Sequence, residues 1–289
     1  MNSYLTNPPE SFKEIMSLWD EIKLVFFNNG ADKGAKAFEE SLATGSWSWE
    51  PILSRVPASQ IDRLGDVMLG PFFSSNEYPW PESNGLPMIP LVQLNLDRAS
   101  RLGGVDLGNG LLQVFAKVED KLGQRLYLRE IERSAVAAEL MQDLPLFPDS
   151  IEGFASVSWA QSAERKKRYP DDDKQLCTQI VGIEDKKFSF WSCSPFSENY
   201  NMEAVDLGIR KKLERFDEII GQHSDEWSPG GFHFFGAFWP IQYYPNEQSK
   251  PLLCLESEYG FNFADGQAQI FYSRSKNNGV YFTMDWSCY

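Results

Sequence analysis

Apolar residues near the start of the chain recur every three or four positions. Phe12, Ile15, Met16, Trp19, Ile22 and Phe26 fall at helical spacing, and Ser11 with Glu14 forms a Ser-x-x-Glu capping box. The pattern predicts one helix there and a second, shorter one over about 32–44, with Gly45 as its stop. Trp47 to Val67 carries no period that assigns it. From Pro71 onward the texture becomes short strands punctuated by Pro and Gly. Val92, Leu94 and Leu96 alternate with Gln93 and Asn95, and Leu112, Val114, Ala116 and Val118 repeat the period of two.

A helix is expected over Ile131 to Gln142, ending before Pro145. Residues 176–183 and 187–193 suit a hairpin turning at Glu184-Asp185-Lys186. Asp206 opens a further helix whose Ile209, Leu213, Phe216 and Ile220 make one apolar stripe, closed by Gly221. The last 60 or so residues return to strands, with Ala268, Ile270 and Tyr272 on one side. Strand runs with segregated helices argue for an α+β fold: β-rich mixed sheets preceded by N-terminal helices. The expected division is an N-terminal helical segment, 1–68, and an α+β domain, 69–289.

An internal echo suggests two similar packed subdomains. Gly70-Pro71-Phe72, Pro90-Leu91-Val92-Gln93-Leu94 and Asn109-Gly110-Leu111-Leu112-Gln113-Val114-Phe115 follow one another in the first unit, about 70–120. Gly236-Ala237-Phe238, Pro251-Leu252-Leu253-Cys254-Leu255 and Asp265-Gly266-Gln267-Ala268-Gln269-Ile270-Phe271 follow in the same order in the second, about 230–285.

Charge narrows the range of partners. The formal net charge is −14, and the acidic surplus is spread along the chain instead of gathered in a tail. Such a field repels phosphate backbones and favours basic partners, so a nucleic-acid ligand is not expected. Hydrophobic residues make up 42% of the sequence, enough for a self-sufficient core. The N-terminal residues lack the basic and apolar regions of a signal peptide, and no stretch suits a membrane span, so a cytoplasmic location is expected. Cys177, Cys193, Cys254 and Cys288 show no CxxC pairing and are expected as reduced thiols.

The sequence carries no catalytic motif. His223 and His233 carry little motif context and read as a helix C-terminal and a core histidine ahead of a two-His-one-carboxylate metal site, Gly230-Gly231 lacks the Lys-Ser/Thr of a phosphate loop, and the Gly103–Gly110 run reads as a turn. No Gly-x-Ser-x-Gly elbow occurs. No catalytic residue, metal or cofactor is therefore expected. One charge-dense stretch, Arg165-Lys166-Lys167-Arg168, precedes Asp171-Asp172-Asp173, and these three acids suit Arg or Lys of a partner. Asp225 and Glu226 add acids beside Trp227, which with Tyr243 and Tyr244 supplies candidate aromatic anchors.

The order Gly70-Pro71-Phe72, Pro79-Trp80-Pro81, Gly85-Leu86-Pro87, Leu91-Val92-Gln93-Leu94-Asn95-Leu96 and Gly110-Leu111-Leu112-Gln113-Val114-Phe115 resembles the YwqG-like bacterial proteins of unknown function. Gly236 to Gln242, Leu252 to Ser257 and Asp265 to Tyr272 resemble that family's C-terminal half. Phe263-Ala264-Asp265-Gly266 departs from its Trp-Gly-Asp-x-Gly turn. The resemblance implies a β-rich α+β fold and a cytoplasmic location, but no established activity. Some relatives are associated with toxin systems of bacterial competition.

The expectation is therefore a protein-binding module, a cytoplasmic immunity protein that neutralises a basic toxin domain by steric occlusion. Its contact residues would be Asp171, Asp172, Asp173, Asp225, Glu226, Trp227, Tyr243 and Tyr244. The alternative is a small-ligand-binding protein or enzyme with its site in a cleft between two subdomains. Gln93, Gln113, Gln242 and Asp265 would then be its polar groups.

Overall fold

A face of large apolar side chains needs a second face to cover it, and the N-terminal helix finds one far away in sequence. The computed structural model describes residues 8–28, 35–36, 38–39, 42, 45–117, 126–145, 147, 176–189, 207–227, 232–236, 249–256, 266–275 and 279–288. In chain order the elements are α1 (Glu10–Asn28), β1 (Ser46–Pro57), β2 (Val67–Met68), β3 (Glu82–Ser83), β4 (Leu86–Pro87), β5 (Ile89–Asn95), α2 (Leu96–Gly103), β6 (Gly110–Ala116), β7 (Leu126–Glu132), β8 (Leu176–Ser189), α3 (Leu207–Trp227), β9 (His233–Phe235), β10 (Lys250–Glu256), β11 (Gly266–Arg274) and β12 (Val280–Cys288). The fold is β-rich α+β. The chain divides into two units, Met1–Trp49 with Asp185–Trp239, and Glu50–Glu184 with Pro240–Tyr289.

In the first unit α1 packs on α3. Phe12, Ile15, Trp19, Ile22 and Phe26 are buried with Phe38, Leu213, Phe216 and Ile219. Trp19 is the hub: its ring lies 4.8 Å from Phe38 and 6.1 Å from Phe216, and Phe38 meets Phe216 edge-on at 5.3 Å. Such pairs add to the burial of the rings themselves. Outside this core, Arg215 grips Glu14 through Nε at 2.9 Å and Nη2 at 3.2 Å, and Lys212 pairs with Glu21. The short strand β9 pairs with the start of β1, Ser48 opposite Phe235 and Trp49 opposite Phe234.

The second unit is mostly sheet. β8 pairs with β2, β2 with β5, β5 with β6 and β6 with β7, while β10, β11 and β12 form a second meander. β12 also comes alongside β7. Gly110 opens β6 at a φ of 105°, where a Cβ would meet the Ile131 carbonyl at 2.0 Å. Only glycine lets the β6 and β7 backbones approach so closely.

The internal echo extends to strand register. Pro90 faces Phe115, a bulge follows, and Val92, Gln93 and Leu94 then face Val114, Gln113 and Leu112. Pro251 faces Phe271, a bulge follows at the same place, and Leu253, Cys254 and Leu255 face Ile270, Gln269 and Ala268. Leu69 and Phe235, each just before the glycine that opens its unit, have left-handed φ values of 51° and 55°. That backbone is rare for bulky side chains.

Several sequence expectations are corrected. Where mixed sheets are expected, β1–β9, β2–β5, β2–β8, β5–β6, β6–β7, β10–β11 and β11–β12 all pair antiparallel. The helix expected over Ile131 to Gln142 is instead the end of β7 followed by 3-10 turns at Arg133–Ala135 and Ala138–Leu140. Pairing with β6 overrides local helix preference there, and Ile131, Ala135 and Val136 enter a small core with Phe73 and Leu111. The hairpin expected at Glu184-Asp185-Lys186 is one continuous strand, β8, because that triplet holds no Gly or Asn to supply a left-handed turn. Helix α3 runs past Gly221 to Trp227, with the glycine on its exposed side, where it weakens the helix without ending it. The unassigned stretch after Trp47 is mainly β1. Met16 lies outward, 39% exposed, and the Glu14 carboxylate turns to Arg215 instead of capping its own helix.

Truncating Phe216 to Ala should remove the edge contact to Phe38 and open a cavity beside Trp19. We expect a stability loss of about 3–5 kcal/mol in denaturant unfolding followed by tryptophan fluorescence.

Candidate functional site

Gln93 and Gln113 do come together. They face each other across β5 and β6, both fully buried, and a fully buried carboxamide must find partners for two donors and an acceptor. Gln93 Nε2 donates to the carbonyls of Arg63 at 2.9 Å and Gly65 at 2.8 Å. Its Oε1 accepts from Phe73 N at 2.9 Å and Gln113 Nε2 at 2.6 Å. Gln113 Nε2 also donates to the Phe73 carbonyl at 2.8 Å. Between them the two side chains fasten the chain from Arg63 to Phe73 onto the sheet.

Arg129 on β7 extends the ladder by one rung. It stands opposite Gln113 and donates from Nε to Gln113 Oε1 at 2.7 Å. Nη1 donates to the Pro79 carbonyl at 2.6 Å and Nη2 to that of Tyr78 at 3.5 Å. The guanidinium carbon lies 5.4 Å from the centre of the Phe115 ring. Burial lowers the Arg129 pKa to about 10, against the opposing influence of Tyr127 and Tyr78. Trp80 completes the aromatic setting, 5.4 Å from Phe115, with its indole N–H donated to the Met88 carbonyl at 2.9 Å.

Arg63 works from the other side of the same loop. It donates to the carbonyls of Phe72 at 2.9 Å and Gln142 at 3.0 Å, and to Ser74 Oγ at 3.2 Å. Asp66 holds the next junction. Its carboxylate accepts from Asn95 N at 2.5 Å and from Arg98 Nη1 at 2.9 Å, while its carbonyl accepts from Ile180 N on β8 at 3.0 Å. Burial raises the Asp66 pKa above its ordinary value, and the Asn95 N–H and Arg98 only partly oppose it.

The other expected residues are less informative. Asp171, Asp172, Asp173, Gln242, Tyr243, Tyr244 and Asp265 lie outside the described residues. Asp225, Glu226 and Trp227 form the C-terminal end of α3. His233 is buried on β9, His223 is half-buried on α3, and Cys254 is a buried thiol outside any disulfide. Among the described residues no three His, Cys, Asp or Glu side chains cluster as metal ligands, and no helix is long and apolar enough to cross a membrane.

Sequence reasoning missed Arg63, Asp66 and Arg129. Arg129 had a visible signal, because in Tyr127-Leu128-Arg129-Glu130-Ile131 it alternates with Tyr127 and Ile131 on a strand face that is otherwise apolar or aromatic. The chain matches no protein-family model and no curated protein.

Replacing Gln93 with Leu leaves the Phe73 N–H and the Arg63 and Gly65 carbonyls without their partner. A loss of about 2–4 kcal/mol in unfolding free energy is expected, with faster amide exchange at Phe73. Asp66 should give stability a pH signature. Its carboxyl holds a proton more tightly folded than unfolded, so the contribution is fully present below the unfolded value near 3.8 and is lost as pH rises through the raised folded value. Unfolding free energies of the wild type and Asp66→Asn across that range should show the wild type losing stability relative to the variant as pH increases.

Proposed function

We propose that this chain is a protein-binding module of the bacterial cytoplasm, an immunity protein of the YwqG-like kind that covers the active site of a basic toxin domain. The observation that carries the proposal is the formal net charge of −14, spread along the chain. On the described helices the acids Glu10, Glu14, Asp20, Glu21 and Glu218 are engaged by Lys13, Lys23, Lys212 and Arg215. Asp171-Asp172-Asp173 is the densest acidic run in the sequence. Acids of this kind speed encounter with a basic partner, and a few aromatic anchors then supply most of the affinity.

The hydrogen bonds of Gln93 and Gln113 also favour this reading over the cleft alternative. Both carboxamides are committed to backbone carbonyls, a backbone N–H, each other and Arg129, which leaves them little to offer a ligand. The matched bulges and facing pairs of β5–β6 and β10–β11 support descent of two similar strand units from one by duplication. In that reading Pro90 and Pro251, Phe115 and Phe271, and Gln113 and Gln269 are common scaffold. Binding residues belong to what differs between the units.

Co-purification from the native host at low salt should recover a basic protein carrying a toxin domain, and co-expression with it should rescue growth. The complex should weaken as salt rises, and replacing Asp171, Asp172 and Asp173 together with Asn should slow association about tenfold. Continued killing despite expression of the folded chain would sink the proposal.

A further inference from the structure

Arg129 is a half-buried guanidinium without an acid. The chain has 41 acids and 27 Lys and Arg residues, yet among the described residues no carboxylate meets Arg129. A partly desolvated charge is normally paired, and here every group the side chain touches is a neutral oxygen or an aromatic ring. A guanidinium carries five N–H donors. Gln113, Pro79 and Tyr78 take three of them, which leaves one on each terminal nitrogen. Arg129 is only half-buried, and its Nη1 bond to the Pro79 carbonyl lies exposed at the surface.

We propose that Arg129 is an anion-binding residue that takes the planar carboxylate of a small aromatic acid. One N–H on each terminal nitrogen remains for a ligand, on the planar guanidinium that is suited to carboxylates. The fork is already fixed by the ladder from Gln93 through Gln113, so binding freezes little additional side-chain freedom. Phe115 lies against the guanidinium, Tyr78 is half-buried beside it, and Tyr127 stands on the same face of β7, 41% exposed with its ring 6.4 Å from Phe115. Tyr127 offers exposed ring surface for the body of the acid, while Phe115 is buried and backs the guanidinium. The site belongs to the second unit alone and is separate from the acidic surface proposed for a protein partner.

The test uses the full-length, 15N-labelled chain titrated with sodium benzoate at constant ionic strength, with sodium chloride and inorganic phosphate as comparison anions. Backbone amides from Tyr127 to Ile131 should shift saturably with benzoate and more weakly with phosphate. Arg129→Lys keeps the charge but loses the fork, and should weaken benzoate binding by about tenfold or more. Tyr127→Glu changes an exposed position and places a competing carboxylate on the same strand face, so it should weaken binding by a similar factor. It decides the matter alone if Arg129→Lys does not give a native spectrum. Shifts that stay linear with benzoate and match those of chloride overturn the proposal, as does unchanged binding in Tyr127→Glu. Phosphate binding tighter than benzoate overturns the carboxylate assignment.

Discussion

A buried carboxamide is costly unless all its polar atoms are used, and Gln93 uses them to close a loop. Its two N–H groups reach Arg63 and Gly65, its oxygen reaches Phe73, and Gln113 locks the amide in place from the next strand. On either side of the short strand β2, the chain between Arg63 and Trp80 is irregular, and side chains help to hold its path over the sheet. Arg63, Gln93, Gln113 and Arg129 supply that path from both sides. With the loop held there, Phe73 joins Leu111, Ile131, Ala135 and Val136 in a small core.

The ladder also explains why a cation sits in this place. Gln113 has given both amide hydrogens to Phe73 and Gln93, so its oxygen faces β7 as an acceptor in need of a donor. Arg129 meets that need and carries two further donors to the Pro79 and Tyr78 carbonyls, which a neutral side chain of similar reach would not do as well. A charge is thereby brought into a neutral, aromatic setting. The structural requirement for donors and the electrostatic requirement for a counter-ion are separate, and the chain satisfies only the first with its own atoms.

Much of this was legible in the sequence where period and burial agree. Phe12, Ile15, Trp19, Ile22 and Phe26 all enter the α1–α3 core, and the alternation around Gln93 and Gln113 marks β5 and β6. It failed where long-range pairing decides the outcome. Ile131 to Gln142 is rich in helix formers, yet β6 claims its start as a ladder partner. The polar half of the alternation was open to misreading too. Gln93 and Gln113 look like the solvent-facing members of half-buried strands, but both faces of β5 and β6 are covered. The turn Asn84-Gly85, with φ values of 52° and 76°, joins β3 to β4 as the dipeptide allows and went unremarked because its strands are only two residues long.

The two hairpins allow one further step. Gln113 and Gln269 occupy equivalent positions, but their partners across the ladder differ: Gln113 lies between Gln93 and Arg129, and Gln269 between Cys254 and Asp285. Register fixes these equivalences without reference to side-chain orientation. A strand unit can therefore keep its central glutamine and its bulged proline while the flanking position changes from a base to an acid. If the scaffold needed a cation at that position, Asp285 would not serve. The shared frame tolerates either sign, so the choice of Arg at 129 reflects its own surroundings: the loop carbonyls it binds and the anion its fork is left to receive.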